Sequence, residues 1–126
     1  MAINNPYARY KSNAINTATP EELTLMLYEG ALKFANQAMA AFEKKDYMKA
    51  NQLIQRVENI IREFQITLKP EYEISEQLNA LYDYIYRCLV RANIKKSPEL
   101  LDEAMGLIRN MRDTWKEAMK LAKQGK

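Results

Sequence analysis

TATPEELTLMLYEGALKFANQAMAAF, residues 17–42, is the stretch that decides the fold class of this chain. It opens with a helix start, because Thr19 can cap a free backbone N–H, Pro20 suits the first helical position and Glu22 can close a capping box. Apolar residues then recur every three or four positions in two adjacent series, as in an amphipathic helix. The series are Leu23, Leu27, Gly30, Phe34, Ala38, Ala41 and Leu25, Tyr28, Leu32, Ala35, Met39, Phe42. Together they give a face so wide that other elements must cover it from several directions.

Gly30 lies within the first of these series. A glycine in the middle of a helix costs about 1 kcal/mol relative to alanine. We therefore expect it to pack closely against a neighbouring helix.

Three further segments carry the periodicity and end signals of helices. The second is predicted to start after an Asp46 cap and to end before Pro70, and the third to run over residues 74–93. The fourth starts at Ser97 and Pro98, and its apolar stripe predicts a fully inward face: Leu101, Ala104, Met105, Ile108, Met111, Trp115, Ala118, Met119 and Ala122. Short connections make sequential helices antiparallel. The sequence predicts an all-α, up-down four-helix bundle over residues 19–126, with an N-terminal arm or short extra helix at residues 1–18.

Two features of the predicted helices suggest a recognition surface. The third helix contains LYDYIYR at residues 81–87, and tyrosine is enriched where one side of a residue is apolar and the other wet. Packing against the first helix is the alternative explanation for these tyrosines. In the second helix, Ile66 projects on the side opposite the apolar stripe, either as a binding anchor or as an isolated exposed side chain without a role.

Composition argues against several classes of function. The chain has no histidine and one cysteine, so the usual general base, the usual nitrogen metal ligand and a thiol nucleophile with its base are missing. The three glycines are too scattered for a phosphate-binding loop. We therefore expect no enzyme and no catalytic, cofactor-binding or metal site.

Charge and hydropathy bound the compartment and the partners. The longest apolar run has five residues, at 38–42, too short to insert across a bilayer, and a single cysteine without an internal disulfide favours the cytoplasm. The formal net charge is +3, too weak by itself to indicate nucleic acid. The lysine pairs at residues 44–45 and 95–96 fall in predicted loops without interleaved aromatics, so a nucleic-acid binder is only a minor alternative.

Ordered motifs along nearly the whole chain resemble those of the flagellar secretion chaperones, the FliS family. The family pattern has a Tyr-x-x-Tyr arm, a Thr-Ala-(small)-Pro-x-x-Leu helix start and a Leu-Tyr-(acidic)-Gly segment. The matching residues here are Tyr7 and Tyr10, Thr17-Ala18-Thr19-Pro20 with Leu23, and Leu27-Tyr28-Glu29-Gly30. Later matches are Leu81-Tyr82-Asp83-Tyr84, Ala92-Asn93-Ile94 and Arg112-Asp113-Thr114-Trp115. Each motif alone is weak, whereas the ordered set is specific.

The resemblance implies a bundle that binds the disordered C-terminal segment of flagellin in the bacterial cytoplasm. It also implies that binding prevents premature polymerisation and assists delivery to the export apparatus, whose gate protein FlhA recognises the complex. The residues expected to contact flagellin or to form an N-terminal lid are Tyr7, Tyr10, Leu25, Tyr28, Leu32, Ile66, Tyr82, Tyr86 and Leu89. The alternative is a generic helical scaffold or adaptor for another amphipathic client.

Overall fold

The computed structural model describes residues 17–71 and 73–125, and within them the regular structure is four helices. They are α1 (Pro20–Glu43), α2 (Tyr47–Thr67), α3 (Ser75–Lys95) and α4 (Pro98–Gln124). Each helix packs against two others, in the cyclic order α1, α2, α3, α4. The predicted all-α bundle is therefore confirmed. The predicted arm, apart from Thr17 and Ala18, lies outside the described residues.

Side-chain caps begin three of the helices as the sequence predicts. Thr19 Oγ1 accepts from the Glu22 backbone N–H at 3.1 Å and donates to the Glu22 carboxylate at 3.0 Å. The expected capping-box bond, from the Thr19 backbone N–H to that carboxylate, is replaced by this hydroxyl bond. Asp46 and Ser97 cap α2 and α4 at 3.2 Å each, whereas α3 starts after Ile74 with no side-chain cap.

Polar contacts between α2 and α3 show their antiparallel packing. Near the end of α2, Gln65 Nε2 donates to Asn79 Oδ1 at 3.1 Å, close to the start of α3. At the other end, Asn93 Nδ2 donates to Asn51 Oδ1 at 2.6 Å. The start of each helix thus contacts the end of the other, as an up-down bundle requires.

The core is fully buried over only part of the length of the bundle. The buried residues of α4 are Leu101, Ala104, Met105 and Ile108. The predicted inward stripe is therefore wrong for its second half, because Met111, Trp115 and Met119 are half-buried while Ala118 and Ala122 are exposed. The indole of Trp115 contacts the first turn of α1, through a 3.0 Å bond from Nε1 to the Glu21 carbonyl. The last turns of α4 extend beyond that contact, so they have little to pack against in the described part of the chain.

Gly30 is not at a close helix–helix contact. A Cβ built on it would meet only Ile60 Cδ1, at 4.0 Å, which is an ordinary van der Waals distance. The prediction of close packing at this position is therefore wrong.

Candidate functional site

Three aromatic rings from α1, α2 and α3 form a layer across the core. The Phe64 ring lies 4.5 Å from that of Tyr28 and 5.6 Å from that of Tyr82, measured between centroids. The two tyrosines join their hydroxyls at 3.2 Å. Each of the three residues is 5–6% exposed. The layer separates two parts of the bundle that differ in how well they are packed.

On one side of the layer the bundle is tightly packed. There α1 presents small side chains to its neighbours, and Ala31, Ala35 and Ala38 are fully buried. Small residues let helix axes approach closely, so larger side chains such as Ile54 and Leu101 from α2 and α4 fill the interior completely. This part of the core has no room for a partner.

On the other side of the layer the apolar residues are only partly covered. This end holds the start of α1, the end of α2, the start of α3 and the end of α4. Its half-buried apolar residues are Leu23, Leu25, Leu27, Leu68, Leu78, Leu81, Met111, Trp115 and Met119. We call this region the open end. It is open because α2 stops at Thr67, three residues after Phe64, while α4 continues well beyond its last buried residue, Ile108.

The surface around the open end carries exposed apolar side chains and a cleft. Ile66 is 78% exposed, Ile74 56% and Leu121 57%. The cleft has a volume of about 230 Å³ and lies at the loop between α2 and α3. It is lined by Gln65, Leu68, Pro70, Ser75, Glu76 and Asn79. Exposed apolar surface of this kind is typical of a protein-interaction site.

A polar network borders this region on the α2–α3 side. The Arg62 guanidinium carbon lies 3.7 Å from the centre of the Tyr86 ring, and Arg62 Nη1 lies 3.7 Å from Asp83 Oδ1. Gln65 Nε2 donates to the same Asp83 oxygen at 2.8 Å. This cation–π contact stabilises the position of the Tyr86 ring, which is half-buried and can still contact an apolar partner.

The predicted partner-contact residues fall into three groups. Ile66 is exposed and Leu25 and Tyr86 are half-buried, so these three are accessible to a partner. The others in the described part of the chain are Tyr28, Leu32, Tyr82 and Leu89, each no more than 5% exposed. For these four the prediction of an open groove is corrected, because Tyr28 and Leu32 of α1 and Tyr82 and Leu89 of α3 are buried in the core between the helices. Tyr7 and Tyr10 lie outside the described residues.

Three accessible residues at the open end were not predicted as contacts. Trp115 belongs to the predicted inward stripe of the fourth helix, Ile74 is the first residue of the predicted third helix, and Leu121 was not singled out. The sequence did indicate that Leu121 is exposed, since this apolar residue lies outside the predicted inward stripe of the fourth helix. Ile74 and Trp115 follow the helical period without a break, so periodicity could not identify them.

The described residues offer little that supports covalent or metal chemistry. Within residues 17–71 and 73–125 no three His, Cys, Asp or Glu side chains are grouped as a metal site would need. Burial raises the pKa of the Cys88 thiol, aided by the nearby Glu103 carboxylate. A protonated thiol is a poor nucleophile. In the same ranges, none of the helices is long and apolar enough to cross a membrane. What the open end can do is bind apolar side chains.

Comparisons with known proteins identify the family. The flagellar protein FliS family matches residues 3–122. A flagellar secretion chaperone FliS from Bacillus subtilis is 48% identical over 119 residues, which cover 94% of this chain and 90% of that protein. This chain belongs to the FliS family of flagellar secretion chaperones. Another FliS chaperone, from Salmonella typhimurium, is 31% identical over 83% of this chain and 80% of its own length.

A solved structure supports the FliS fold independently. It is described as a flagellar chaperone from bacteria and superposes with a TM-score of 0.75 over 90% of this chain and 94% of its own. Its sequence identity is 20%, so it is evidence for the fold alone. The bundle of α1 to α4 is thus an architecture that flagellar chaperones with dissimilar sequences share.

Proposed function

We propose that this chain is a cytoplasmic export chaperone that binds the C-terminal segment of flagellin at its open end. In this proposal, binding prevents premature polymerisation and assists delivery to the flagellar export apparatus through the gate protein FlhA. One observation carries the proposal: a chain of the FliS family has half-buried Leu25, Leu78 and Trp115 where a well-packed bundle would have a closed core.

The open end suits a disordered client for physical reasons. An amphipathic segment can place apolar side chains against half-buried residues such as Leu27 and Leu81, removing both surfaces from water. The segment loses conformational entropy when it becomes ordered, which keeps the affinity moderate for the area buried. Moderate affinity is what a chaperone requires when its client must later be released.

Calorimetry against flagellin and against flagellin lacking its C-terminal segment tests the client. We expect binding with a negative heat-capacity change for the full protein and loss of binding for the truncated one. Affinity should change little with salt, since the proposed contacts are apolar. Full affinity for the truncated protein would show that the segment is not the client.

Substitutions at exposed positions test the location without disturbing the core. We expect Ile66→Ser/Ile74→Ser/Leu121→Ser to weaken flagellin binding at least about tenfold, equivalent to about 1.4 kcal/mol. The matched control is Met48→Ser/Ile94→Ser, at the opposite end, where the side chains are 76% and 72% exposed. The control should bind normally. If the two variants lose affinity equally, the open end is not the binding surface.

A separate measurement addresses delivery. If the chain presents flagellin to FlhA, the cytoplasmic part of FlhA should bind the chaperone–flagellin complex more tightly than either protein alone. Equal affinity for the free chaperone would leave the holding role intact and contradict the delivery role. A chain that binds no flagellin at all but captures another amphipathic protein would instead be a generic helical adaptor.

A further inference from the structure

The end of the bundle opposite the open end has a different surface chemistry. It contains the α1–α2 turn with Lys44 and Lys45 and the α3–α4 turn with Lys95 and Lys96. We call these two turns, with the first helical turn of α2 at residues 47–50, the lysine end. The turns form one surface, since Lys96 Nζ lies 5.4 Å from the centre of the Tyr47 ring.

Three apolar side chains protrude from the lysine end. Met48 is 76% exposed, Ile94 72% and Tyr47 38%. A single exposed apolar residue needs no explanation. Here, however, the 2.6 Å bond between Asn51 and Asn93 brings the helix turns next to Met48 and Ile94 together. The lysine end therefore combines protruding apolar side chains with several exposed lysines.

The lysines of this end are available for an external anion. Lys44, Lys45, Lys49, Lys95 and Lys96 are exposed, and no ion pair holds any of them in the part of the chain that the structure describes. The acidic neighbours are Glu43, Asp46 and Glu99. Five lysines against three carboxylates leave a formal excess of two positive charges. Asp46 and Glu99 are also hydrogen-bonded, to the Lys49 backbone N–H and to the Ser97 hydroxyl.

Stabilisation of helix ends explains only part of this arrangement. Cations after α1 and α3 complement the negative ends of those helix dipoles. The helix dipole does not explain Lys49, because Lys49 lies in the first turn of α2, where a cation is unfavourable. Lys45 and Lys96 have φ of 58° and 52°, in the left-handed region where glycine or asparagine is usual. The dipoles also give no reason for exposing Met48 and Ile94.

We propose that the lysine end is a peripheral docking surface for an anionic lipid bilayer. Its lysines pair with lipid phosphates, and Met48 and Ile94 enter the headgroup region without spanning the membrane. Clustered lysines beside apolar side chains are the combination that favours anionic bilayer surfaces. A helical protein partner would need a continuous apolar groove. Here the protruding side chains Met48 and Ile94 stand on the end turns of two different helices, α2 and α3, and not along one groove.

Vesicle co-sedimentation of the full chain tests this proposal. We expect binding to vesicles of roughly 30% phosphatidylglycerol in phosphatidylcholine, and at least about threefold less to phosphatidylcholine alone. Raising the salt from about 50 to about 300 mM should remove most of the binding, because it screens exposed charges. No binding to the anionic vesicles at low salt would overturn the proposal.

Two charge-matched variants separate a local site from overall charge. Each variant replaces three lysines with glutamates, so both lower the net charge from its value of +3 by the same amount. The first variant is Lys44→Glu/Lys49→Glu/Lys95→Glu, and the second is Lys116→Glu/Lys120→Glu/Lys123→Glu. The first should lose vesicle binding at least about fivefold, and the second, at the other end of the bundle, less than twofold. Equal losses would show that general charge attraction accounts for the binding and would refute a defined surface.

The apolar contribution has its own pair of variants. Met48→Ser/Ile94→Ser should lower vesicle binding several-fold at unchanged net charge, whereas Ile66→Ser/Ile74→Ser should not change it. Circular dichroism of every variant confirms that the bundle is folded. If the two serine variants behave alike, Met48 and Ile94 do not enter the lipid and the proposal is wrong.

Discussion

The hydroxyl oxygens of Tyr28 and Tyr82 lie 3.2 Å apart inside the bundle, on two helices at diagonal positions. Phe64 packs against both rings. Each hydroxyl is buried among apolar groups and gives the other its hydrogen-bond partner, so the cost of removing both from water is offset. The pair also forms the floor of the open end, which links the stability of the bundle to the proposed binding site.

A double-mutant cycle at this pair measures how strongly the two hydroxyls interact in the folded protein. Tyr28→Phe leaves the Tyr82 hydroxyl without its partner, and we expect a loss of about 1–3 kcal/mol in the free energy of unfolding. Tyr28→Phe/Tyr82→Phe removes both polar groups and should cost less than the sum of the single changes, with a coupling of about 0.5–1.5 kcal/mol. Urea denaturation provides these values. If the losses in the two single variants add up to the loss in the double variant, the hydroxyls do not interact.

Alkaline pH should destabilise the bundle through the same two residues. Burial raises the pKa of Tyr28, reinforced by its contact with Tyr82, and burial raises that of Tyr82 as well. Unfolded tyrosines titrate near about 10, while the buried pair stays protonated above that pH. Their stabilisation is therefore complete below pH of about 10 and falls as pH rises further, by about 1.4 kcal/mol per pH unit for each residue.

Denaturation at pH of about 9 and about 11 checks this slope, with Tyr28→Phe/Tyr82→Phe as the reference. A hydrogen bond to Glu103 raises the pKa of exposed Tyr84 to about 12, but that residue is common to both proteins and cancels. Between these two pH values the free energy of unfolding should fall less in Tyr28→Phe/Tyr82→Phe than in the unaltered protein. The same loss in both proteins would place the alkaline sensitivity elsewhere.

Gly30 should be replaceable by alanine with a gain in stability. The added methyl group would meet only Ile60 Cδ1, at 4.0 Å, and alanine is favoured over glycine in a helix by about 1 kcal/mol. We expect Gly30→Ala to raise the free energy of unfolding by about 0.5–1 kcal/mol. Gly106→Ala, where nothing lies within 4 Å, is the matched control and should behave alike. Destabilisation by Gly30→Ala alone would restore the close-packing explanation.

Trp115, the one tryptophan of the chain, reports on the open end. Its indole is half-buried and bonded to the Glu21 carbonyl, so its emission should fall between those of a buried and an exposed tryptophan. A flagellin C-terminal peptide that covers the open end should shift the emission to the blue. A saturating peptide that leaves the emission unchanged would place the binding site away from Trp115.

The N-terminal tyrosines are proposed to form a weak lid. Tyr7 and Tyr10 precede Thr17 in the sequence, and Thr17 lies next to the start of α1 at the open end. Burying two tyrosine rings contributes at most about 2–4 kcal/mol of apolar stabilisation, and the entropy lost on ordering the segment cancels much of it. Because a lid competes with the client, Tyr7→Ala/Tyr10→Ala should tighten flagellin binding a few-fold or leave it unchanged. A collapse of binding with the fold intact would make the tyrosines direct contacts.

Sequence patterns predicted much of the fold because helix signals are local. The caps at Thr19, Asp46 and Ser97, and the prolines Pro20 and Pro98 at the first helical positions, are signals that depend on a few adjacent residues. The ordered motifs likewise indicated the family, which the comparisons confirm. The same local signals predicted α2, which starts after the Asp46 cap and ends before Pro70.

Which apolar residues are accessible was decided by tertiary structure. Tyr28 and Trp115 both follow a helical apolar period, yet one is 5% exposed and the other only half-buried. The difference arises because Tyr28 lies two turns inside α1, whereas Trp115 lies level with the first turn of α1, where its indole bonds to Glu21, and α4 continues beyond that level to Gln124. Periodicity identifies which side of a helix is apolar, whereas burial depends on the lengths and positions of the helices packed around it.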